Sequence, residues 1–227
     1  MKQILIANIL DLYRQSPRVA ILMSGIGSNA NALLQNSNRY KNINFVTLCT
    51  DRKDSNAYHL SKKYHLDYFL LEGDVSTLKK REDYFHLLKN YLCKMKIDTL
   101  IYSGFMKISV PSFLYQFPGI NIHPSDLTRV NEWGKPKYVG MHSVSDAIEQ
   151  GEKYIASTVH VVDEDVDCGQ SILVSEPLYL ENMKKEDIHE TLKKEREHVL
   201  YPTVLELMSK GLMIPQKMPY RWDALSL

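Results

Sequence analysis

The stretch RVAILMSGIGSNANALLQN (residues 18–36) carries the pattern that decides the fold. An apolar run (18–24) leads into the turn SGIGSNA (24–30), and amphipathic spacing follows (30–36). This order predicts a buried strand, a tight glycine turn and a helix that returns over the strand. Such a unit is typical of a parallel α/β sheet.

The same alternation continues through the first two thirds of the chain. It predicts further strands at 43–50, 68–71, 99–103 and 119–123, and helices at 30–36, 55–64, 77–94, 111–115 and 143–150. Two later apolar runs, 156–162 and 171–174, are close enough to pair as antiparallel strands. We expect a single Rossmann-like α/β domain with a mostly parallel central sheet, an antiparallel C-terminal hairpin and C-terminal helices.

Helical patterns flank the predicted sheet. Residues 4–13 have mostly helical apolar spacing, which predicts an N-terminal helical extension over 1–17. A longer helical pattern runs from 185 to about 210, and Pro202 is expected to kink or divide it. The expected organisation is the extension 1–17, one main domain at 18–211 and a tail at 212–227.

Composition is that of an ordinary globular protein. Of 227 residues 44% are hydrophobic, and 28 Lys and Arg nearly balance 27 Asp and Glu, for a formal charge of +1. A globally basic nucleic-acid binder is therefore not expected. Asn8 and Asp11 interrupt the N-terminal apolar run and no apolar stretch of spanning length follows, so we expect a cytoplasmic protein without membrane contact. Three cysteines without a CxxC pair favour neither a disulfide framework nor a cysteine zinc site.

The glycine turn has three interpretations. Gly25 and Gly27 permit positive φ and the polar residues after them can cap the helix, so the amides there can hold a phosphate. A tight turn without a ligand fits about as well. Gly25, Gly27 and Ala30 also satisfy a dinucleotide-binding pattern, and Asp51 stands where an acid would bind the ribose, so a nicotinamide dehydrogenase is a competing hypothesis.

GINIHPS (119–125) is the most informative stretch for chemistry. If the two isoleucines point into the packed layer, strand alternation places Asn121 and His123 together on the other face. Open parallel sheets bind ligands at the carboxyl ends of their strands. Asn121 can then donate to an oxyanion and His123 can move a proton, although a structural pair at a strand end is an equally good interpretation.

STVHVVDEDVDCGQSIL (157–173) places four acids between the last two predicted strands. Their spacing does not match an EF-hand calcium loop. Asp163, Glu164 and Asp165 are typical of a solvated turn. Asp167 leads directly into the next strand and is the acid best placed to face the sheet edge.

Five motifs together resemble a known family. SGIGSNANAL, SGFMKIS, INIHPS, STVHVVDEDVDCG and EREHVLYP have the order and approximate spacing found in the phosphoribosylglycinamide formyltransferases, which belong to a wider folate-dependent formyltransferase superfamily. The resemblance covers roughly residues 18–211, the expected formyltransferase domain. It implies transfer of a formyl group from the co-substrate 10-formyltetrahydrofolate to the amine of phosphoribosyl glycinamide in purine biosynthesis, without a metal.

The resemblance also implies roles for single residues. Asn121 and His123 would polarise the formyl oxygen, and Asp167 would pair with His123 and favour its charged form. The phosphate and ribose of the acceptor would contact Gly27, Ser28, Asn29, Lys194 and Glu197. The folate would contact Arg81, Met106, Lys107, Ile108, Ser109, Val110, Asp163, Glu164 and Asp165.

The chain departs from the family pattern in three places. The connection between Pro124 and Gly140 is longer than expected, and residues 126–139 there can form a lid, a subunit contact or a changed specificity element. Lys107 stands where the family usually has Arg, which loses a planar fork but keeps the charge. The N-terminal helix before residue 18 is additional.

Other functions stay open at this point. The same three catalytic residues would suit a formyltransferase for another amino sugar or nucleotide, or a formyltetrahydrofolate hydrolase that uses water. A dehydrogenase and a non-catalytic folate or nucleotide sensor are more distant alternatives. The expected partners are small molecules, with neither nucleic acid nor membrane, and the protein is expected to be a monomer or a homodimer.

Overall fold

The computed structural model describes residues 2–215 and 218–222. Met1 of the predicted extension, and residues 216–217 and 223–227 of the predicted tail, therefore lie outside the described residues. The helices are α1 (Lys2–Arg14), α2 (Ser28–Gln35), α3 (Ala57–Lys63), α4 (Leu78–Lys94), α5 (Pro111–Gln116), α6 (Ser143–Glu149), α7 (Lys185–Leu192) and α8 (His198–Ser209). The strands are β1 (Arg18–Met23), β2 (Asn44–Thr50), β3 (Asp67–Leu70), β4 (Thr99–Tyr102), β5 (Gly119–His123), β6 (Tyr154–Ile155), β7 (Thr158–Val161), β8 (Ser171–Val174), β9 (Leu178–Tyr179) and β10 (Tyr220–Arg221).

One mixed sheet organises the molecule, in the strand order β10-β8-β7-β5-β4-β1-β2-β3. The strands from β5 to β3 are parallel, β7 is antiparallel to both β5 and β8, and β10 joins β8 in parallel. The strands β6 and β9 pair separately. The prediction of a Rossmann-like domain with a mostly parallel sheet and an antiparallel C-terminal pair is confirmed. None of the described helices is long and apolar enough to cross a membrane.

Packed layers cover both faces of this sheet. On one face α1, α2 and α8 pack together, and Ile6, Ile9 and Tyr13 of α1 are fully buried. On the other face α4 and α5 contribute Phe85 and Phe113. Because alternate residues of β1 enter the two layers, the strand is apolar at nearly every position. The N-terminal helix therefore forms part of the core, where it contacts α8.

The predicted helix over 185–210 is divided, but not at Pro202. A π-helical segment, Lys193–Glu197, separates α7 from α8, whereas Pro202 lies inside α8 and is buried. The prediction that Pro202 divides the helix is therefore wrong. A π-helical turn holds more residues than an α-helical turn, which changes the direction of its side chains. Here Glu197 is directed into the protein and is only 4% exposed.

Tyr201 joins α8 to the centre of the sheet. Its buried hydroxyl lies 3.0 Å from the carbonyl oxygen of Tyr102 and 2.9 Å from that of Ile120. Tyr201→Phe removes this donor, and we expect the free energy of unfolding to fall by about 1–2 kcal/mol. Urea denaturation measures the change. The control is Tyr179→Phe, because that residue is 67% exposed; equal losses in both variants would contradict the role of the Tyr201 hydroxyl.

Candidate active site

The carboxyl ends of β1, β4 and β5 meet at one edge of the sheet, because these strands are parallel neighbours. The glycine turn follows β1, residues 103–110 follow β4, and Pro124 follows β5. Ser24 links the first two loops, since its hydroxyl accepts from the Met106 amide at 2.9 Å and its amide donates to the Gly104 carbonyl at 3.1 Å. The strand order reverses between β1 and β4, which is where open α/β sheets bind ligands.

Gly27 gives the glycine turn its shape. Its φ of 71° and ψ of 33° lie in the left-handed region, and a Cβ there would overlap the Met23 side chain and lie 2.9 Å from Leu60 Cδ1. Glycine is therefore needed for both conformation and space. Among the described residues no side chain caps α2, so the first amides of that helix, at Ser28 and Asn29, are suited to an anion.

His123 lies between Asp167 and the Tyr138 carbonyl. Its Nδ1 is 3.2 Å from Asp167 Oδ2, and its Nε2 is 3.1 Å from the Tyr138 oxygen. A carbonyl oxygen only accepts, so Nε2 carries a hydrogen. Burial lowers the pKa of His123, although Asp167 opposes this effect. The structure thus brings the predicted pair together. The effect of burial on the pKa of His123 is larger than the opposing effect of the Asp167 charge, so this pKa lies below its ordinary value.

Asp167 is held by several groups. Its Oδ2 accepts from the Gly140 amide at 2.8 Å, and its Oδ1 lies 3.5 Å from His160 Nε2. Burial acts to raise the pKa of Asp167, but contacts with His160, His123 and the Gly140 amide outweigh burial and bring it to about 2. The φ of Asp167 is 53°, a left-handed value that Asp and Asn tolerate. The carboxylate is therefore charged at neutral pH and fixed in place.

His160 completes this cluster and was missed by the sequence interpretation. It lies directly opposite Asn121 in the antiparallel pairing of β5 and β7. Its Nε2 is 3.1 Å from Asn121 Nδ2 and 3.5 Å from Asp167 Oδ1. Without a hydrogen this nitrogen accepts from the Asn121 amide, and with a hydrogen it donates to Asp167, so it makes one of these two hydrogen bonds at a time. Alternation in β7 is the signal that could have indicated it, once the pairing partner of β7 is known. In the described part of the chain, no group of three or more His, Cys, Asp or Glu is arranged to hold a metal ion.

A second polar group lies beside the glycine turn. Asn29 Nδ2 donates to Glu197 Oε2 at 2.6 Å, and the Ser157 hydroxyl donates to Oε1 at 3.4 Å. Burial raises the pKa of Glu197, and the hydrogen bond from Asn29 partly offsets the increase. Asn29 Oδ1 is buried and, among the described residues, has no hydrogen-bond partner. The group therefore offers an acceptor and a carboxylate to a ligand hydroxyl.

Lys194 points away from this group. It is exposed, and its Nζ lies 3.3 Å from Glu190. The expectation for Lys194 assumed ordinary helical spacing before Glu197, whereas the π-helical segment changes that spacing. Lys193 is the less exposed of the two lysines, and its charge lowers the pKa of Glu197. His189 lowers this pKa as well, so the basic residues that act on the buried carboxyl are His189 and Lys193.

The loop after β4 has exposed side chains at some positions and buried side chains at others. Met106, whose amide contacts Ser24 of the glycine turn, and Ile108 are both exposed. Ser109 and Val110 are buried, and the Ser109 hydroxyl contacts the Tyr102 hydroxyl at 3.0 Å. A ligand on this loop can therefore contact the side chains of Met106 and Ile108. At Ser109 and Val110 it can contact mainly the backbone.

Lys107 is held against the protein instead of facing the loop opening. Its Nζ donates to the Gly73 carbonyl at 2.8 Å, lies 4.9 Å from the centre of the Tyr84 ring and is 3.7 Å from Asp51 Oδ2. Asp51 is the acid on which the dehydrogenase hypothesis depends, and its buried pairing with Lys107 does not suit a ribose. Arg81 lies on α4, one turn before Tyr84.

Two acids of the loop after β7, Glu164 and Asp165, make contacts outside the His123 cluster. Glu164 Oε1 accepts from the Tyr115 hydroxyl at 2.7 Å, and Asp165 Oδ2 lies 3.7 Å from Lys135 Nζ. Asp163 Oδ1 accepts from the Glu164 amide at 2.8 Å. Glu164 and Asp165 are exposed, so these two fit the solvated-turn interpretation.

Residues 126–139 form a hairpin, called here the insertion hairpin. Val130 and Pro136 make a bridge between its arms, and Trp133 is exposed near its tip. The hairpin reaches Tyr138, whose carbonyl meets His123, and Gly140 follows with its amide on Asp167. The longer connection therefore lies directly against the candidate site.

The glycine turn and the Asn–His–Asp cluster define a Rossmann-like protein with hydrogen-bond donors and proton-transfer groups at the switch point of its sheet. The chain belongs to the formyl transferase family, because the sequence model described as "Formyl transferase" matches residues 17–205. The resemblance found in the sequence motifs is thereby confirmed. This family, together with the pairing of Asp51, argues against the dehydrogenase hypothesis.

Individual proteins support the same family. The phosphoribosylglycinamide formyltransferase of Haemophilus influenzae is 29% identical over 200 residues, which are 86% of this chain and 88% of that protein. The structure of glycinamide ribonucleotide transformylase 1 from Symbiobacterium toebii matches with a TM-score of 0.75 and 26% identity, covering 90% of this chain and 92% of the other. The phosphoribosylglycinamide formyltransferase from Bacillus halodurans matches with a TM-score of 0.73 and 29% identity, covering 86% and 96%.

Proposed function

We propose that this protein transfers a formyl group from 10-formyltetrahydrofolate to the primary amine of phosphoribosyl glycinamide, as a cytoplasmic enzyme of purine biosynthesis. The supporting observation is the contact of 3.2 Å between His123 and Asp167, beside Asn121 at the carboxyl end of β5. Such a cluster supplies donors for an oxyanion and a path for a proton. The names of the relatives specify the same reaction for those proteins.

The chemistry proceeds by direct attack. The amine nitrogen bonds to the formyl carbon, and the carbonyl electrons move to the formyl oxygen. Asn121 donates an amide hydrogen to this oxyanion, and His123 donates from Nε2, which turns from the Tyr138 carbonyl to the substrate. The proton lost by the amine reaches N10 of the folate through a water held at Asp167. The electrons on the oxyanion then re-form the carbonyl as the bond from carbon to N10 breaks, and the products are tetrahydrofolate and the formylated amine.

The two substrates approach from neighbouring loops. The phosphate of the acceptor lies on the Ser28 and Asn29 amides, and its ribose hydroxyls meet Glu197 and Asn29 Oδ1. The folate lies along residues 106–110, with Met106 and Ile108 against its rings. Arg81 pairs with carboxylates of the folate tail, for which a planar guanidinium is suited, and residues 163–165 border the folate.

An acceptor assay tests this proposal. The purified protein is incubated with 10-formyltetrahydrofolate in the presence and absence of phosphoribosyl glycinamide, and both tetrahydrofolate and the formylated amine are measured. We expect the two products in equal amounts and no folate product without the amine. Folate product at the same rate without any amine would identify a hydrolase instead. Activity restricted to another amino sugar or nucleotide would identify the alternative acceptor.

Glu197→Gln tests the acceptor site separately. The amide keeps the shape of the side chain but removes the charge that binds the ribose, so we expect KM for phosphoribosyl glycinamide to rise about tenfold. KM for the folate should stay unchanged, because Glu197 is not among the proposed folate contacts. Steady-state kinetics measure both values. Glu195→Gln is the matched control in the same π-helical segment, since Glu195 is exposed; a similar rise in this control would contradict the assignment.

A further inference from the structure

The C-terminal strand contacts the base of the insertion hairpin. Arg221 of β10 lies opposite Val174 of β8 at the edge of the sheet. Its guanidinium is 3.1 Å from Asp126 Oδ2 and 3.2 Å from Thr128 Oγ1. This strand lies beyond residue 205, where the match to the family ends. The contact is thus made by a part of the chain that the family match does not include.

Asp126, the partner of Arg221 in this contact, is a buried carboxylate. Its side chain is 4% exposed, and a buried carboxylate requires a cation or several donors. Its Oδ1 accepts from the amide and the hydroxyl of Thr128, at 3.0 and 2.5 Å. Its Oδ2 meets Arg221. Arg221 therefore neutralises a buried charge at the first residue of the hairpin.

The second arm of the hairpin leads from this anchor to the candidate site. The Lys137 amide donates to the Arg129 carbonyl at 2.8 Å, which joins the two arms close to the base. The next residue, Tyr138, accepts from His123 through its carbonyl, and the amide two residues later donates to Asp167. A shift of the first arm is therefore passed to the groups that orient the pair.

We propose that Arg221 is a positioning residue of the active site: it fixes the insertion hairpin so that the Gly140 amide holds Asp167, and the Tyr138 carbonyl keeps the His123 ring oriented until Nε2 turns to the substrate. The kinetic consequence rests on the proposed function, whereas the structural consequence does not. Arg221 touches none of the reacting atoms. Its loss therefore changes the rate of the chemical step and leaves substrate binding largely unaffected.

Kinetics of the full-length protein test the first consequence. For Arg221→Ala we expect kcat to fall about tenfold, because small displacements of catalytic groups are costly, while KM for both substrates stays near wild type. Arg221→Lys keeps the charge and should restore part of the loss. The control is Arg14→Ala, which removes an Arg–Asp pair whose arginine is similarly exposed, 42% for Arg14 against 48% for Arg221, but whose aspartate is 59% exposed instead of 4%. Unchanged kcat in Arg221→Ala, or an equal loss in Arg14→Ala, would overturn the proposal.

Hydrogen exchange tests the second consequence without an activity assay. Peptides covering residues 126–140 should exchange faster in Arg221→Ala than in wild type, with wild-type rates in Arg14→Ala. Unchanged exchange in these peptides would overturn the proposed anchoring. If the wild-type protein transfers no formyl group, the proposed function fails. Faster exchange confined to these peptides would in that case still support the role of Arg221 in holding the hairpin.

Discussion

His123→Ala is expected to lower kcat by about 10³-fold, because it removes a donor to the oxyanion and also the partner of Asp167, the residue that holds the proton-carrying water. The KM values should change little, since the acceptor's phosphate and ribose and the folate bind to other residues. Rapid-quench or steady-state kinetics measure the loss. His86→Ala on the exposed side of α4 is the control. Turnover of His123→Ala close to that of the control would remove His123 from the mechanism.

Asp167→Asn is expected to lose about 10²- to 10³-fold in kcat. Asparagine is the right replacement because Asp167 has a φ of 53° and asparagine tolerates this conformation. The amide can still accept from Gly140, so the loop should keep its shape while the negative charge is lost. Near-normal turnover in this variant would show that the charge is not needed.

The same variant has a predictable effect on the pKa of His123. Burial lowers this pKa, and the charge of Asp167 acts in the opposite direction. Removing that charge leaves burial less opposed, so the pKa of His123 should fall further in Asp167→Asn. NMR titration of the histidine ring, assigned with a His123 variant, measures this shift. A pKa that rises toward the ordinary value of histidine would contradict the electrostatic role of Asp167.

Gly169→Ala is expected to destabilise the fold by about 3 kcal/mol, because overpacking against a rigid neighbour forces backbone movement. A Cβ on Gly169 would overlap the carbonyl oxygen of Val161 and lie 2.9 Å from its carbonyl carbon. This overlap is removed only if either β7 or the loop that carries Asp167 is displaced. Activity should therefore fall together with stability.

Gly25→Ala provides the matched control for that experiment. No atom lies within 4 Å of a Cβ built on Gly25, so its unfolding free energy should change by less than about 0.5 kcal/mol. Urea denaturation of both variants measures the difference. Equal unfolding midpoints for the two variants would show that the Val161 backbone moves without cost.

The fold was largely predictable because its elements follow local periodicity. The predicted strands, and the predicted helices between residues 30 and 150, begin and end within two residues of the observed ones. Pro202 is the exception in the later helical region, since the break is made by Lys193–Glu197 instead. Glu197, at the end of this segment, contacts Asn29, a residue far away in the chain, and local spacing does not reveal such a contact.

The candidate site was predictable where its residues share one strand or one motif. Alternation along β5 was enough to place Asn121 and His123 on one face. Asp167 was chosen from four acids by its position before β8. His160 was missed because its approach to Asn121 depends on the antiparallel pairing of β5 with β7.

The sequence by itself determined the alternating strands and helices, the glycine turn and the family resemblance, because each is encoded by spacing within short segments. Tertiary structure alone decided that the charges of His189 and Lys193 act on Glu197, and that the insertion hairpin contacts His123. It also decided that Arg221 reaches Asp126, a residue 95 positions earlier in the chain. These contacts depend on how the strands and helices pack in the complete fold and on which side chains become buried. Local sequence patterns do not predict that geometry.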